Sequence, residues 1–224
     1  MKGYLLFLIP MLFSSINAQQ ISDKERYFED QFYMGVTYNF VRNKPEGFSQ
    51  RSLSYGLQGG FIKDVPLNAS RTRAIGIGIG LALNSYYSNL AVRESNSGFT
   101  YVFEEDIVDF RRSKVEEHLV EFPLEFRWRN STADDHRFWR IYTGLKAAYV
   151  INARSKLVTE DFKDGFFNTD VTNFQYGLTF NAGYNTFNIH IYYALSDLFN
   201  EEVSINGEAL GFRPLRVGLI FYIL

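Results

Sequence analysis

The sequence predicts an all-β fold, an eight-stranded antiparallel up-and-down transmembrane β-barrel of the outer-membrane type. Three observations predict it. The chain opens on an export-type segment, continues as eight runs that alternate apolar and polar residues, and joins those runs by connections that are alternately short and long.

The first eighteen residues, "MKGYLLFLIPMLFSSINA", carry Lys2, an apolar stretch from Tyr4 to Phe13 and a small residue, Ala18. That is the layout of a cleaved secretory signal, and the stretch is far short of the roughly 20 residues a membrane helix needs. Residues 1–18 are therefore expected to be a signal peptide, 19–30 a periplasmic amino-terminal tail and 31–224 the barrel. Net charge is −2, aromatic content is 17% and there are no cysteines, which excludes disulfides, thiolate metal sites and the basic footprint of a nucleic-acid binder. Beyond the leader no apolar stretch reaches membrane-helix length, so membrane residence requires a closed sheet.

The first run, residues 31–41, sets Phe32, Met34, Val36, Tyr38 and Phe40 against Tyr33, Gly35, Thr37 and Asn39. The second, 52–62, sets Leu53, Tyr55, Leu57 and Phe61 against Ser54, Gly56, Gln58 and Gly60. The third, "RAIGIGIGLALNSYY", alternates Ile75, Ile77, Ile79, Leu81 and Leu83 with Gly76, Gly78, Gly80, Ala82 and Asn84. Its glycines lack the dinucleotide-loop spacing, and no helix follows them. They read as small inward positions that make room for bulky neighbours in a narrow barrel. The fourth run, 118–129, opposes Val120, Phe122, Leu124, Phe126 and Trp128 to Glu121, Glu125, Arg127 and Arg129.

The fifth, 138–151, opposes Trp139, Ile141, Leu145 and Tyr149 to Arg140, Tyr142, Gly144 and Lys146. Residues 174–184, 187–196 and the final "RVGLIFYIL" complete the eight, each expected near the 9–11 residues of a tilted spanning strand. Connections at 63–72, 130–137 and 185–186 are short, whereas 42–51, 88–114, 153–170 and 200–211 are long and polar. Short periplasmic turns and long outer loops are the outer-membrane pattern.

The inward face carries charge. Glu121, Glu125, Arg127, Arg140 and Lys146 are expected to form a paired lumen network, because isolated charges in so narrow a bore would be costly. A regular hairpin at 130–137 would place Arg127 opposite Arg140, Glu125 opposite Tyr142, Glu121 opposite Lys146 and Trp128 opposite Trp139. Trp128, Trp139, Tyr184 and Phe187 would then form half of an aromatic girdle at the periplasmic interface. Of the histidines, His190 is expected to face Asn181, His136 to lie solvated in a turn, and His118 to stand at the outer rim near Glu116 and Glu117. No Ser–His pair is evidently close, so neither catalysis nor a cofactor is expected. The acidic loop at Glu104, Glu105, Asp106 and Asp109 lacks calcium-loop spacing and reads as solvated.

The ending, with Arg216, Gly218, Phe221 and Ile223, resembles the carboxyl-terminal signal by which the barrel assembly machinery recognises its substrates, with one extra residue, Leu224. Across "FIKDVPLN", "IGIGIGLALNSYYSNL", "EFPLEFRWR", "FWRIYTGLKAAYV" and "PLRVGLIFYIL" the chain also resembles the PorT-type, porin-family outer-membrane β-barrel proteins of Bacteroidota. That resemblance implies an outer-membrane barrel without catalytic residues, surrounded by outer-membrane lipid. One branch of the family is associated with type IX protein secretion, which makes a secretion complex or another envelope protein a candidate partner. Three functions stay open: a partner-binding or structural barrel, a small passive pore, and a lipid-acting enzyme at the outer rim.

Overall fold

The computed structural model describes residues 30–50, 53–96, 98–130, 139–184 and 187–223. The expected leader, all of the expected tail but Asp30, His136 and Leu224 lie outside the described residues. Spanning strands are β1 (Asp30–Arg42), β2 (Tyr55–Pro66), β3 (Arg73–Ser88), β6 (Phe110–Arg129), β7 (Trp139–Thr159), β9 (Phe174–Tyr184), β10 (Phe187–Ala194) and β13 (Arg213–Ile223). Each pairs antiparallel with its neighbours in chain order, and β13 returns to pair with β1 from Phe32↔Ile223 to Arg42↔Arg213. The eight strands thus form a closed barrel. Closure leaves the spanning sheet without a free edge strand, as the hydrocarbon requires.

Period two alone decides which side chains face lipid. On β1, Phe32 is 61% exposed and its neighbour Tyr33 only 2%. The same alternation holds through β3, β6, β7, β9 and β10, where the exposed large side chains are those on the expected apolar faces.

Strand length departs from expectation. β3, β6 and β7 run for 16, 20 and 21 residues, well past a bilayer-spanning length. The polar Lys114–Glu117 stretch, which looked like a loop ending, continues the ladder from Lys114↔Lys156 through Glu117↔Ala153. It can do so because the strands rise out of the membrane onto an apolar cap that rewards further pairing. The long outer connections build that cap. They contain the hairpin β4 (Leu90–Ser95) and β5 (Gly98–Phe103), strand β8 (Lys163–Phe167) on the upper part of β7, and the short pair β11 (Ser204–Ile205) and β12 (Glu208–Ala209).

The β6–β7 register differs from the expected one by two residues. Arg127 lies opposite Tyr142, Glu125 opposite Gly144, Trp128 opposite Ile141, and Arg129, rather than Arg127, opposite Arg140. A two-residue slip keeps every side chain on its own face, so hydrophobic pattern cannot select between the two registers. Inward packing selects it: Glu125 meets a residue with no side chain, and the Arg127 guanidinium lies 4.4 Å from the Tyr142 ring centroid. A bulge between His118 and Leu119 then leaves Ile151 as an extra residue on β7, because His118 pairs with Asn152 and Leu119 with Val150.

Candidate functional site: a filled bore under a folded cap

The interior is built in tiers. Nearest the short-turn end, Asp64 on β2 bridges two arginines of β6: its Oδ1 accepts from Arg127 Nη1 at 2.5 Å and its Oδ2 from Arg129 Nη1 at 2.9 Å. Arg127 also donates to Glu125 at 2.9 Å and to Gln31 at 3.0 Å, and Arg129 donates to the Arg71 carbonyl at 3.0 Å. Glu125 accepts from Asn181 at 3.1 Å, and Asn181 is bonded to His190 Nδ1 at 2.5 Å. Tyr142 and Tyr222 flank the Arg127 guanidinium and meet edge to face, 5.4 Å apart.

The middle tier centres on Glu121. Lys146 donates to Glu121 at 2.9 Å and to Gln58 at 2.6 Å, and Arg216 stands 3.6 Å from the other Glu121 oxygen while stacking on Tyr192, 3.8 Å from its centroid. The upper tier holds the buried Glu117, which accepts from Asn84 at 2.9 Å, Tyr86 at 3.3 Å and Gln175 at 2.8 Å. The buried carboxylates Asp64, Glu117, Glu121 and Glu125 thus share the bore with Arg127, Arg129, Arg140, Lys146 and Arg216. Each ion pair within it is desolvated on both sides, the setting in which removal of one partner is most damaging.

Glycines make this filling geometrically possible. A Cβ on Gly80 would collide with the Tyr33 hydroxyl, and one on Gly76 would lie 2.7 Å from Arg127 Nε. The run of alternate glycines in β3 is where the β1 and β6 side chains cross the bore.

Above Glu117 the contents turn apolar. Leu119, Ala148 and Val150 from the barrel wall continue into Phe48, Leu90, Val92, Tyr101, Phe166, Phe199, Leu210 and Phe212 from the outer connections. Phe48 packs on Phe212 at 4.6 Å and Tyr101 on Phe199 at 5.4 Å. Polar ties fix the roof: Tyr101 donates to Asp170 at 2.9 Å, Asn168 to Ser155 at 2.9 Å and Asn89 to the Gly47 carbonyl at 2.8 Å. Burial pushes the Tyr101 phenol up; the Asn168 hydrogen bond pulls against it and the Asp170 carboxylate adds to the rise.

Of the sequence-predicted network, the structure brings Glu121 to Lys146 and Glu125 to Arg127, and the register sets Arg140 opposite Arg129. Asp64, Gln31, Gln58, Glu117 and Tyr192 were missed. Parity could have found Asp64, which is two residues from the inward Ile62, and Arg216, which is two from Gly218. At the short-turn end, Trp139 packs on Tyr184 at 5.4 Å instead of facing Trp128, and Phe187 meets Phe221 at 5.9 Å. Ile223 and Phe221 pair with Phe32 and Met34 on β1, and Gly218 lies between Thr37 and His190. His118 faces outward, with Nε2 3.7 Å from Glu116 Oε1, while the Ser85 hydroxyl donates to Glu116 rather than to the histidine.

A family model described as "Outer membrane protein beta-barrel domain" matches residues 17–200. The chain belongs to that family. As such it is a protein of the outer membrane, set in its lipid. Strand β13, beyond the matched residues, supplies the closing seam. Among solved structures, the attachment invasion locus protein Ail of Yersinia pestis is 12% identical, with 87% of this chain and 98% of that one covered and a TM-score of 0.36. A triple mutant of the Rhodopseudomonas blastica porin is 9% identical over 87% of this chain and 99% of that one, with a TM-score of 0.15. No curated protein matches the chain.

Proposed function

We propose that this chain is a non-enzymatic, non-conducting outer-membrane barrel that works by presenting its folded outer cap, or its periplasmic end, to another envelope protein. Its resemblance to the PorT-type barrels of Bacteroidota makes a type IX secretion complex the partner class of choice. The observation that carries the reading is the double filling of the bore, by bonded charges below and an apolar roof above. An eight-stranded barrel has room for side chains and little else. A passive pore would need that filling removed. At the rim, among the described residues, His118 lies 3.7 Å from Glu116 and the Ser85 hydroxyl donates to Glu116 rather than to the histidine, which supports the non-enzymatic reading.

Two measurements test this. Purified protein in a planar bilayer should be electrically silent at neutral pH, and steady unitary currents would overturn the sealed-bore reading. Mild detergent extraction of native membranes should retain a discrete envelope assembly around the barrel, and migration as a lone monomer after cross-linking would overturn partner binding.

A further inference from the structure

The bulge at Ile151 has a consequence for charge. Below it, the even-numbered residues of β7, such as Lys146 and Val150, point inward; above it, Ser155 and Leu157 do so and are buried. Strict alternation would have carried Arg154 and Lys156 into the bore. The extra residue turns both outward instead, as bulges do when they re-aim side chains.

On that outward face Lys156 lies directly opposite Lys114 on β6 and Arg154 opposite Glu116. β8 extends the face, with Gly165 opposite Lys156 and Lys163 two residues further along the same strand. Together these residues line one open recess, shared with Asp164. Glu116 is committed to Lys114 and to the Ser85 hydroxyl, and Asp164 accepts from the Gly165 amide at 2.8 Å. Among the described residues, Arg154, Lys156 and Lys163 have no carboxylate within ion-pair distance. Two lysines directly opposite on neighbouring strands repel, and an anion seated between them would turn that cost into binding.

Position identifies the anion. Directly below the recess the same sheet presents Ile151, Tyr149 and Phe174 to the outside, and Phe167 stands beside Arg154 at its lower edge, all more than half exposed. With a rise of about 3.3 Å per residue and a tilt of about 40°, Ile151 lies roughly 30 Å above Trp139, one hydrocarbon thickness, and the Lys156 backbone sits roughly 12 Å higher, a side-chain length above the headgroup layer of roughly 5–7 Å. Long cationic side chains reach down from there to the interface.

We infer that the recess formed by Lys114, Arg154, Lys156 and Lys163 binds the phosphate groups of an outer-leaflet glycolipid, whose acyl chains lie on the apolar belt below. The site is on the outer wall and does not depend on whether the bore is sealed. Native mass spectrometry of the detergent-purified full chain tests it, with diphosphorylated lipid A as probe. The expected result is retained lipid on the parent, retention lower by about tenfold in the Lys114→Gln/Lys156→Gln/Lys163→Gln variant, and no change for Arg93→Gln, which removes an exposed cation elsewhere. Dephosphorylated lipid A should bind no better to the parent than to the variant. Equal retention of the diphosphorylated lipid by parent and variant overturns the site. So does equal occupancy by inorganic phosphate supplied alone, which would make the occupant a free anion. Should the triple variant fail to fold, Lys156→Gln and Lys163→Gln singly are each expected to lose part of the retention, and loss by neither overturns the proposal.

Discussion

At the residue scale the deciding side chain is Asp64. One carboxylate bridges two buried arginines, one with each oxygen. Asp64→Ala removes one buried ion pair from each of the two guanidiniums, and a loss of about 3–5 kcal/mol is expected. Urea titration in detergent, read by the heat-dependent gel mobility of folded barrels, measures it; a change below about 1 kcal/mol would show that water reaches the site. The crossing of Tyr33 over Gly80 gives a second test. Gly80→Ala should lower refolding yield, and Tyr33→Phe in the same chain should recover part of it by removing the colliding hydroxyl. Residue by residue, orientation was legible because period two leaves no third choice: Glu121, Glu125, Arg127 and Lys146 all face inward as read. Their partners were less so. Arg127 meets Asp64 across 63 positions of sequence and Gln31 across 96, separations that no local pattern encodes.

At the element scale the informative case is the β6–β7 hairpin. Both the expected and the observed pairing satisfy the same apolar pattern, and what separates them is the fit of Gly144 to the Glu125 backbone. Because the chain contains no native cysteine, the register can be tested directly. Trp128→Cys with Ile141→Cys should oxidise to a disulfide, since opposed antiparallel residues lie about 4.5–5.5 Å apart, within disulfide reach. Trp128→Cys with Trp139→Cys should stay reduced. The cap is the element the sequence hid most completely. Its segments are short and their apolar residues, such as Phe48, Phe199 and Phe212, come one or two at a time between polar ones, so no periodicity marks them. Their order comes from convergence of four connections on one roof. Phe212→Ala should therefore loosen the cap by about 3–5 kcal/mol, seen as faster hydrogen exchange at Leu90, Phe48 and Leu198, with β9 and β10 unchanged. Alkali acts on the same roof. The Tyr101 phenol is held up, so its contribution is complete below pH about 10, its ordinary value, and is lost only as pH rises through the folded one.

For the whole molecule, two unlike fillings stand in series along one axis, and that arrangement makes closure robust. Ions meet an apolar roof, whose dry core repels them, before they meet a tier of charges already bonded to one another. Opening one barrier leaves the other. Replacing the β3–β6 connection, which carries the β4–β5 hairpin, by a tight turn should strip part of the roof and raise protease sensitivity, yet leave the protein silent in a planar bilayer. Clearing the charged tiers below it as balanced sets, Asp64→Ser with Arg129→Ser, Glu125→Ser with Arg127→Ser and Glu121→Ser with Lys146→Ser, removes equal numbers of each sign and should also leave it silent while the roof stands. Only the combination should conduct. Its current should be small, since the bore of an eight-stranded barrel is barely wider than the side chains removed from it. Currents from either single alteration would mean that the barriers are not in series, and that one of them alone holds the barrel shut.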